Sequence, residues 1–417
     1  MSEEHAQEAK AAQQPARSSA FAPLRNRPFL LYWCANLAAF NGIQMSIVAR
    51  GWLVYNLTES ATSLGLVAAA FGVPMLLVSF YGGALSDRVS KRNLVLVTQA
   101  AGVIILSAIA TLITVDAVRF WHLMVSAFLT GILFALALPA QQAMVVELVG
   151  SDQMLSAVAL GAMGMNCCRI GSPALAGVLV KLIGISGAYW VVVASNLLSI
   201  AFNLYLPEGA KRAPGQSAGI AKDIVDGLRF VRGNTVVMIL LASSMAIVLL
   251  AMPYQNLMPV FAKSVFQGGE TGLGLLLSAI GVGALIGSMC AGSLGRIRRQ
   301  GIVMLISGVS FGLFLVLFSM TRLLPLAIVL LAVATFGSSI FFVLANTLLL
   351  SSTPKEYVGR VMSLFMMTWG LQPVGSLPAA VLADRFGAPL AVAFGGIAST
   401  LFLLAMTLGP ERTRRLL

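Results

Sequence analysis

Charge is what this chain has least of. Asp, Glu, Lys and Arg together make up 10% of its 417 residues, against roughly a quarter in an ordinary soluble domain. No Asp or Glu lies at the centre of any long apolar run, so the embedded carboxylate that commonly carries protons through membrane proteins is missing. His5 sits in the N-terminal tail and His122 near the end of a run, which leaves no histidine relay. Cys34, Cys167, Cys168 and Cys290 fall inside apolar runs without metal-ligand spacing and read as packing residues, so no metal and no cofactor is expected. No phosphate-binding loop ending in Gly-Lys-Ser or Gly-Lys-Thr occurs. No polar stretch is long enough for a nucleotide-hydrolysing domain, and no catalytic constellation marks an enzyme. The N-terminal residues lack an apolar stretch behind a basic start, which excludes a cleaved signal peptide and suggests a flexible tail.

What is there is apolar length. Hydrophobic residues reach 58% and the mean hydropathy is +0.91, as in an integral membrane protein. A helix rises ~1.5 Å per residue, so about 20 apolar residues cross the roughly 30 Å hydrocarbon layer. Such runs lie at about 28–56, 61–85, 94–115, 119–147, 154–183, 188–206, 236–262, 271–292, 301–320, 324–350, 359–382 and 388–408. A β-barrel would show short alternating segments instead. The expectation is an all-α membrane protein of twelve spans in two six-helix bundles, 25–206 and 236–408. A tail (1–24), a linker (207–235) and a basic tail (409–417) complete the division.

The bases are distributed unevenly. With the N-terminus inside, 20 of the 27 Lys and Arg residues fall on inner segments and five (Arg119, Lys181, Lys263, Arg322 and Arg385) on outer ends. Short inner loops retain bases, so both termini are expected in the cytoplasm of a plasma-membrane protein. The net charge of +12 then needs no nucleic acid to explain it. Within the linker, Ile220, Ile224, Leu228 and Val231 share one helical face, with Lys222, Asp223, Asp226, Arg229 and Arg232 on the other. That pattern fits a helix lying along the inner membrane surface.

One short loop concentrates charge: "GALSDRVSKR" from Gly83, echoed about 209 residues later by "GSLGRIRRQ" from Gly292. The repetition fits two parallel halves. The first copy, through Gly83, Leu85, Asp87, Arg88, Lys91 and Arg92, resembles the signature loop of the major facilitator superfamily, roughly G-x-L-A-D-R-x-G-R followed by Arg or Lys. "ARGWLVYNLTESATSLGLV" from Ala49, "PAQQAMVVELV" from Pro139, "RIGSPALAG" from Arg169 and "GLRFVRGN" from Gly227 resemble the drug and siderophore exporters of the enterobactin-exporter and macrolide-efflux type. "GSPALAG" is similar to the Gly-Pro motif of proton-coupled antiporters, with Ser172 separating the pair. The resemblance implies an exporter of amphipathic small molecules driven by protons and working as a monomer. It also implies a latch in which Asp87 faces the N-terminus of the eleventh helix near Gly359 while the bases pair with Glu147. Import or facilitated passage of a polar metabolite shares the fold and stays open. A non-transporting sensor or a membrane enzyme fits less well.

Two bases stand inside spans, Arg50 and Arg169, where an unpartnered charge costs at least about 2.5 kcal/mol. Each either meets an anionic or polar substrate or bonds neighbouring helices. Asn41, Gln44, Gln141, Gln142, Asn166, Gln255 and Asn346 are further candidates for the cavity wall, with Asn36, Asn256 and Gln372 at similar depth. Gly283 and Gly287 would allow close helix approach, and Gly171, Pro173 and Gly177 could bend the fifth helix. If protons are coupled, Asp87, Glu147 and Asp384 are the carboxylates in question, all near membrane surfaces. The charge asymmetry predicts that reporters fused after Arg17 and after Arg415 both read as cytoplasmic; an outer-side signal from either would overturn the orientation.

Overall fold

The computed structural model describes residues 22–206, 228–294, 299–354 and 356–407. The side chains of 22, 79–88, 146–147, 150–152, 155, 293–294 and 407 lie outside that description. The tails, the amphipathic pattern from Ile220 to Gly227 and the side chains of Gly83 to Arg88 and Glu147 therefore fall outside it. Among the described residues every regular element is helical. In chain order they are α1 (Arg27–Thr58), α2 (Ala61–Arg88), α3 (Lys91–Thr114), α4 (Phe120–Leu204), α5 (Thr235–Val265), α6 (Gly269–Leu294), α7 (Gln300–Met320), α8 (Leu324–Ser352), α9 (Val358–Gly370), α10 (Gln372–Phe386) and α11 (Ala388–Thr407). Nine stretches among the described residues are long and apolar enough to cross a membrane.

Continuity of helix is not continuity of direction. If straight, the 85 residues of α4 would extend roughly 128 Å, about four bilayer thicknesses. Contacts show it folding back on itself. Along α1, Asn26 donates to the Leu148 carbonyl (2.9 Å), Trp33 to that of Leu160 (3.1 Å), and Ser172 donates to Asn41 (2.6 Å), so this part of α4 runs parallel to α1. Tyr32 donates to the Gln141 carbonyl (2.8 Å), whereas Ser199 reaches Ala35 (2.7 Å) and Ser195 meets Asn41 (3.2 Å), so the flanking parts run antiparallel to it. The second reversal lies at Gly184, whose φ of +74° is a region that residues with a Cβ avoid. The expected fourth, fifth and sixth runs are thus three passes of one helical stretch.

Two other runs depart from regular helix. In α5 the turns widen over Ile247–Ala251, tighten over Met252–Leu257 and widen again over Phe261–Val265. Pro253 and Pro259 remove two backbone donors there, which breaks the i to i−4 ladder. The expected eleventh run is split at Leu371 into α9 and α10, with Pro373 at the start of the second piece.

α1 to α4 pack as one bundle and α5 to α11 as the other; across the seam α4 meets α6 and α2 meets α10. Small residues bring the helices close. A Cβ at Gly274 would lie 2.6 Å from the Pro173 carbonyl, and one at Gly281 would lie 2.8 Å from that of Arg169. Gly177 faces the backbone of Glu270 and Gly274. Within the second bundle, Gly283 and Gly287 lie against the carbonyls of Ala332 and Phe336 on α8, so both serve the close packing expected of them. Gly171, expected to help bend the fifth helix, borders open space: a Cβ there would meet nothing within 4 Å. Gly283→Ala should therefore destabilise the detergent-solubilised protein by about 1–3 kcal/mol through overpacking, while Gly171→Ala stays within about 0.5 kcal/mol of the parent. Thermal unfolding of the two variants side by side checks this.

Candidate substrate cavity and gate

Arg50 lies two turns from the end of α1, half-buried, with its guanidinium carbon 5.9 Å from the centroid of the Phe71 ring. It also lies within electrostatic reach of the Tyr189 hydroxyl. Its side chain lines a cavity of about 80 Å³ between the bundles, shared with Val54 and Val67 on one side and with Gln255, Asn256 and Leu273 on the other. Gln255 and Asn256 come from the irregular middle of α5. The break in helix turns their amides into the seam, as broken helices do around central sites of transporters. Asn256 donates to Ser376 (2.8 Å), and Gln255 lies 3.4 Å from the Tyr254 hydroxyl.

Arg169 lies on the fifth pass, where α4 meets α6. The residue is exposed on the protein surface, its carbonyl faces Gly281, and its charge reaches Tyr254 of the opposite bundle. Ser278 donates to the neighbouring Ile170 carbonyl across the seam (2.6 Å). The two arginines thus occupy different levels of the same interface.

The remaining sequence candidates separate. Asn41 accepts from Ser172 and donates towards Ser195 and the Met45 sulfur (3.5 Å), joining three passes of the first bundle. Gln142 is exposed, whereas Gln44, Gln141, Asn166 and Asn346 are half-buried. Of the signature loop, Lys91 is buried, and Arg92 donates to the carbonyls of Asn203 (3.1 Å) and Leu204 (2.5 Å). A cation is well placed at those C-terminal carbonyls. Asp87, Arg88 and Glu147 fall among the side chains outside the description.

The end of the bundles carrying Ser60 is closed by polar contacts that sequence reasoning missed. Asp384, in the last turn of α10, accepts from the Ser60 hydroxyl (2.7 Å) and from the backbone N–H groups of Ala61 (2.6 Å) and Thr62 (2.8 Å) at the start of α2. Burial pushes its carboxyl up, but bonds from Thr62, Ser60 and Ala61 outweigh that and hold it below the usual carboxylate range. Nearby, Lys263 pairs with Glu59 (3.3 Å) and Tyr55 shares a hydrogen bond with Ser264 (2.8 Å). A signal was present in the sequence: an aspartate near the C-terminus of its own helix is electrostatically misplaced there and calls for an external donor.

Two helical bundles, a seam of small residues, a polar cavity between them and a cluster of polar contacts at one end are the arrangement of a membrane transporter of the major facilitator fold. The profile of the family described as transmembrane secretion effector matches residues 18–413, and the chain belongs to that family of the superfamily. It is 27% identical over 377 residues to the multidrug efflux pump Tap of Mycolicibacterium fortuitum, covering 86% of this chain and 90% of Tap. It is 28% identical over 407 residues to the enterobactin exporter EntS of Salmonella choleraesuis, covering 91% and 93%. The staphyloferrin A transporter of Staphylococcus aureus is 23% identical over 360 residues, with 85% and 89% covered. Among solved structures, a variant of the nucleoside transporter NupG superposes with a TM-score of 0.73 at 14% identity, over 91% of this chain and 98% of that one. A bacterial homologue of the lysosomal transporter Spinster, described as inward-facing and unoccupied, gives 0.69 at 13%, over 92% and 95%. At these identities the structures speak to fold alone.

The bonding of Asn41 predicts a structural phenotype. Asn41→Ala removes contacts to two passes of α4, and each interhelical bond contributes about 0.6 kcal/mol in such settings. Its melting temperature should fall and transport of every substrate should decline together, whereas the exposed Gln142→Ala should leave melting unchanged.

Proposed function

We propose that the protein is a proton-driven exporter of amphipathic small molecules, working by alternating access between its two bundles. The observation that carries this is the seam itself. It is closed at the Ser60 end over a cavity lined by Arg50, Gln255 and Asn256, with Arg169 uncovered by protein at another level of the same interface. The names of the relatives, a drug pump and siderophore transporters, support export of drug-like or siderophore-like compounds. The charge asymmetry supports the Ser60 end as the outer one with both termini in the cytoplasm, and the twelve apolar runs support twelve spans. In that orientation the structure is the outward-closed state. Asp87 and the signature loop serve as the opposing inner latch.

The two seam arginines give the cavity a positive character, which favours anionic or polyphenolic cargo. They equally favour a second reading, passage of an anionic metabolite down its gradient, which differs in the direction and driving force of transport. Arg169→Gln should weaken transport of an anionic dye while sparing a cationic one, because the lost contribution is charge attraction in a poorly screened cavity. Arg169→Lys should rescue only in part, since an ammonium lacks the planar fork that pairs with two acceptors. Equal loss of both dyes would rule out the substrate role.

A further inference from the structure

The contact of Asp384 with the start of α2 differs in kind from the other polar contacts at the closed end. Lys263 with Glu59 is a surface pair, the acid 78% exposed, and such pairs contribute little. Asp384 instead meets the first turn of a helix, where backbone N–H groups have no intrahelical acceptor and the peptide dipoles place partial positive charge. The donors belong to the first bundle and the acceptor to the second. Near the C-terminus of α10 the ionised carboxylate is disfavoured by its own helix, and joining α2 reverses that penalty.

The same two helices run antiparallel along their length, with Gly65 against Ala380, Gly72 against Pro373 and Gly370 against Leu76. α2 starts at Ala61 and ends beside Asp87; the eleventh run starts with α9 at Val358 and ends beside Asp384. Each helical pass therefore places an aspartate near its C-terminus, level with the N-terminus of the other. We propose that Asp384 is a second latch, holding the Ser60 end closed, and that it acts reciprocally with Asp87: one carboxylate caps its partner helix in each state and neither can do so in both. This inference rests on the alternating-access reading of the fold, and not on export or on proton drive.

The latch works as an anion. The charged or titratable groups around Asp384 are Glu59 at the α1–α2 turn, Lys263 on α5 and Arg385 on its own helix; α11 offers none. Glu59 is engaged by Lys263. The carboxyl is held below its ordinary value in the closed state, so the stabilisation it gives is complete above the usual carboxylate range and fades only as pH falls through that range and below. In the closed state its donors favour the anion, as a latch requires.

The test uses the full-length protein, with its four cysteines replaced by serine and one reporter cysteine added, in right-side-out proteoliposomes. Val67→Cys reports on the closed end, since Val67 is 5% exposed and lines the cavity beneath the cap; Gln142→Cys, at an exposed position, reports on the other. A membrane-impermeant maleimide should label the Val67 reporter about fivefold faster or more when Asp384→Asn is introduced, the usual effect on an equilibrium of losing one helix cap. The Gln142 reporter, labelled by the same maleimide enclosed in the vesicle lumen, should slow, and Asp384→Glu should restore part of the difference. The ratio of labelling rates with and without the Asp384→Asn substitution should be flat from pH 6 to 8. Equal labelling in both proteins, acceleration of both reporters as in general loosening, or a ratio that changes across this pH range would overturn the proposal. Acceleration only when the maleimide reaches the opposite face would support the latch while reversing the assigned orientation. Dye transport measured in the same vesicles reads the exporter function separately.

Discussion

In a membrane every buried polar group must find its partner inside the protein, because hydrocarbon offers none, yet the two bundles of a transporter must also separate. The molecule meets both demands by placing different contacts in different regions. Within the first bundle the bonds are dense and directional. Asn41 holds Ser172 and Ser195, and Gln99 links Ser199 (3.0 Å) with Asn203 (3.0 Å). Across the middle of the seam the contacts are close approaches of backbone at Gly177, Gly274 and Gly281. The Ser278 hydroxyl does cross there, but its acceptor is a helical carbonyl already bonded in its own helix, and a serine can turn back to its own preceding turn on separation. Opening the seam at mid-depth therefore strands almost nothing.

Among the described residues, directional cross-seam bonds gather instead at the Ser60 end: Asp384 with Ser60, Ala61 and Thr62, Lys263 with Glu59, and Tyr55 with Ser264. Here water can replace each bond once broken. The location follows from solvation: strong contacts are reversible only where solvent can take over from them.

The general architecture was legible because hydropathy and base asymmetry are sums over many residues, insensitive to any one contact. The apolar runs rest on such sums, and the family resemblance on motifs many residues long. Individual roles rest on single contacts, which is why they were not legible. Asn41 and Gln255 are both mid-run amides, but one is consumed by three passes of its own bundle while the other faces the seam from a broken helix. Only Pro253 and Pro259 hinted at that break. Gly171 and Gly177 sit in one motif, yet six residues carry the chain through more than one and a half turns, so one meets open space and the other meets α6.

Asp384 shows how a polar residue near a membrane surface can be misread by position alone. A carboxylate there invites a proton-carrying role, and its depth in the sequence is consistent with one. The bonds decide otherwise. A carrier must release and regain its proton near ambient pH, which requires surroundings that favour the neutral form. Three donors and a helix N-terminus favour the anion, and burial does not offset them. A group so held changes conformation by leaving its donors, and while it stays they disfavour its protonation. The closed end thus contributes a charge whose value to the molecule is that its donors favour the anion.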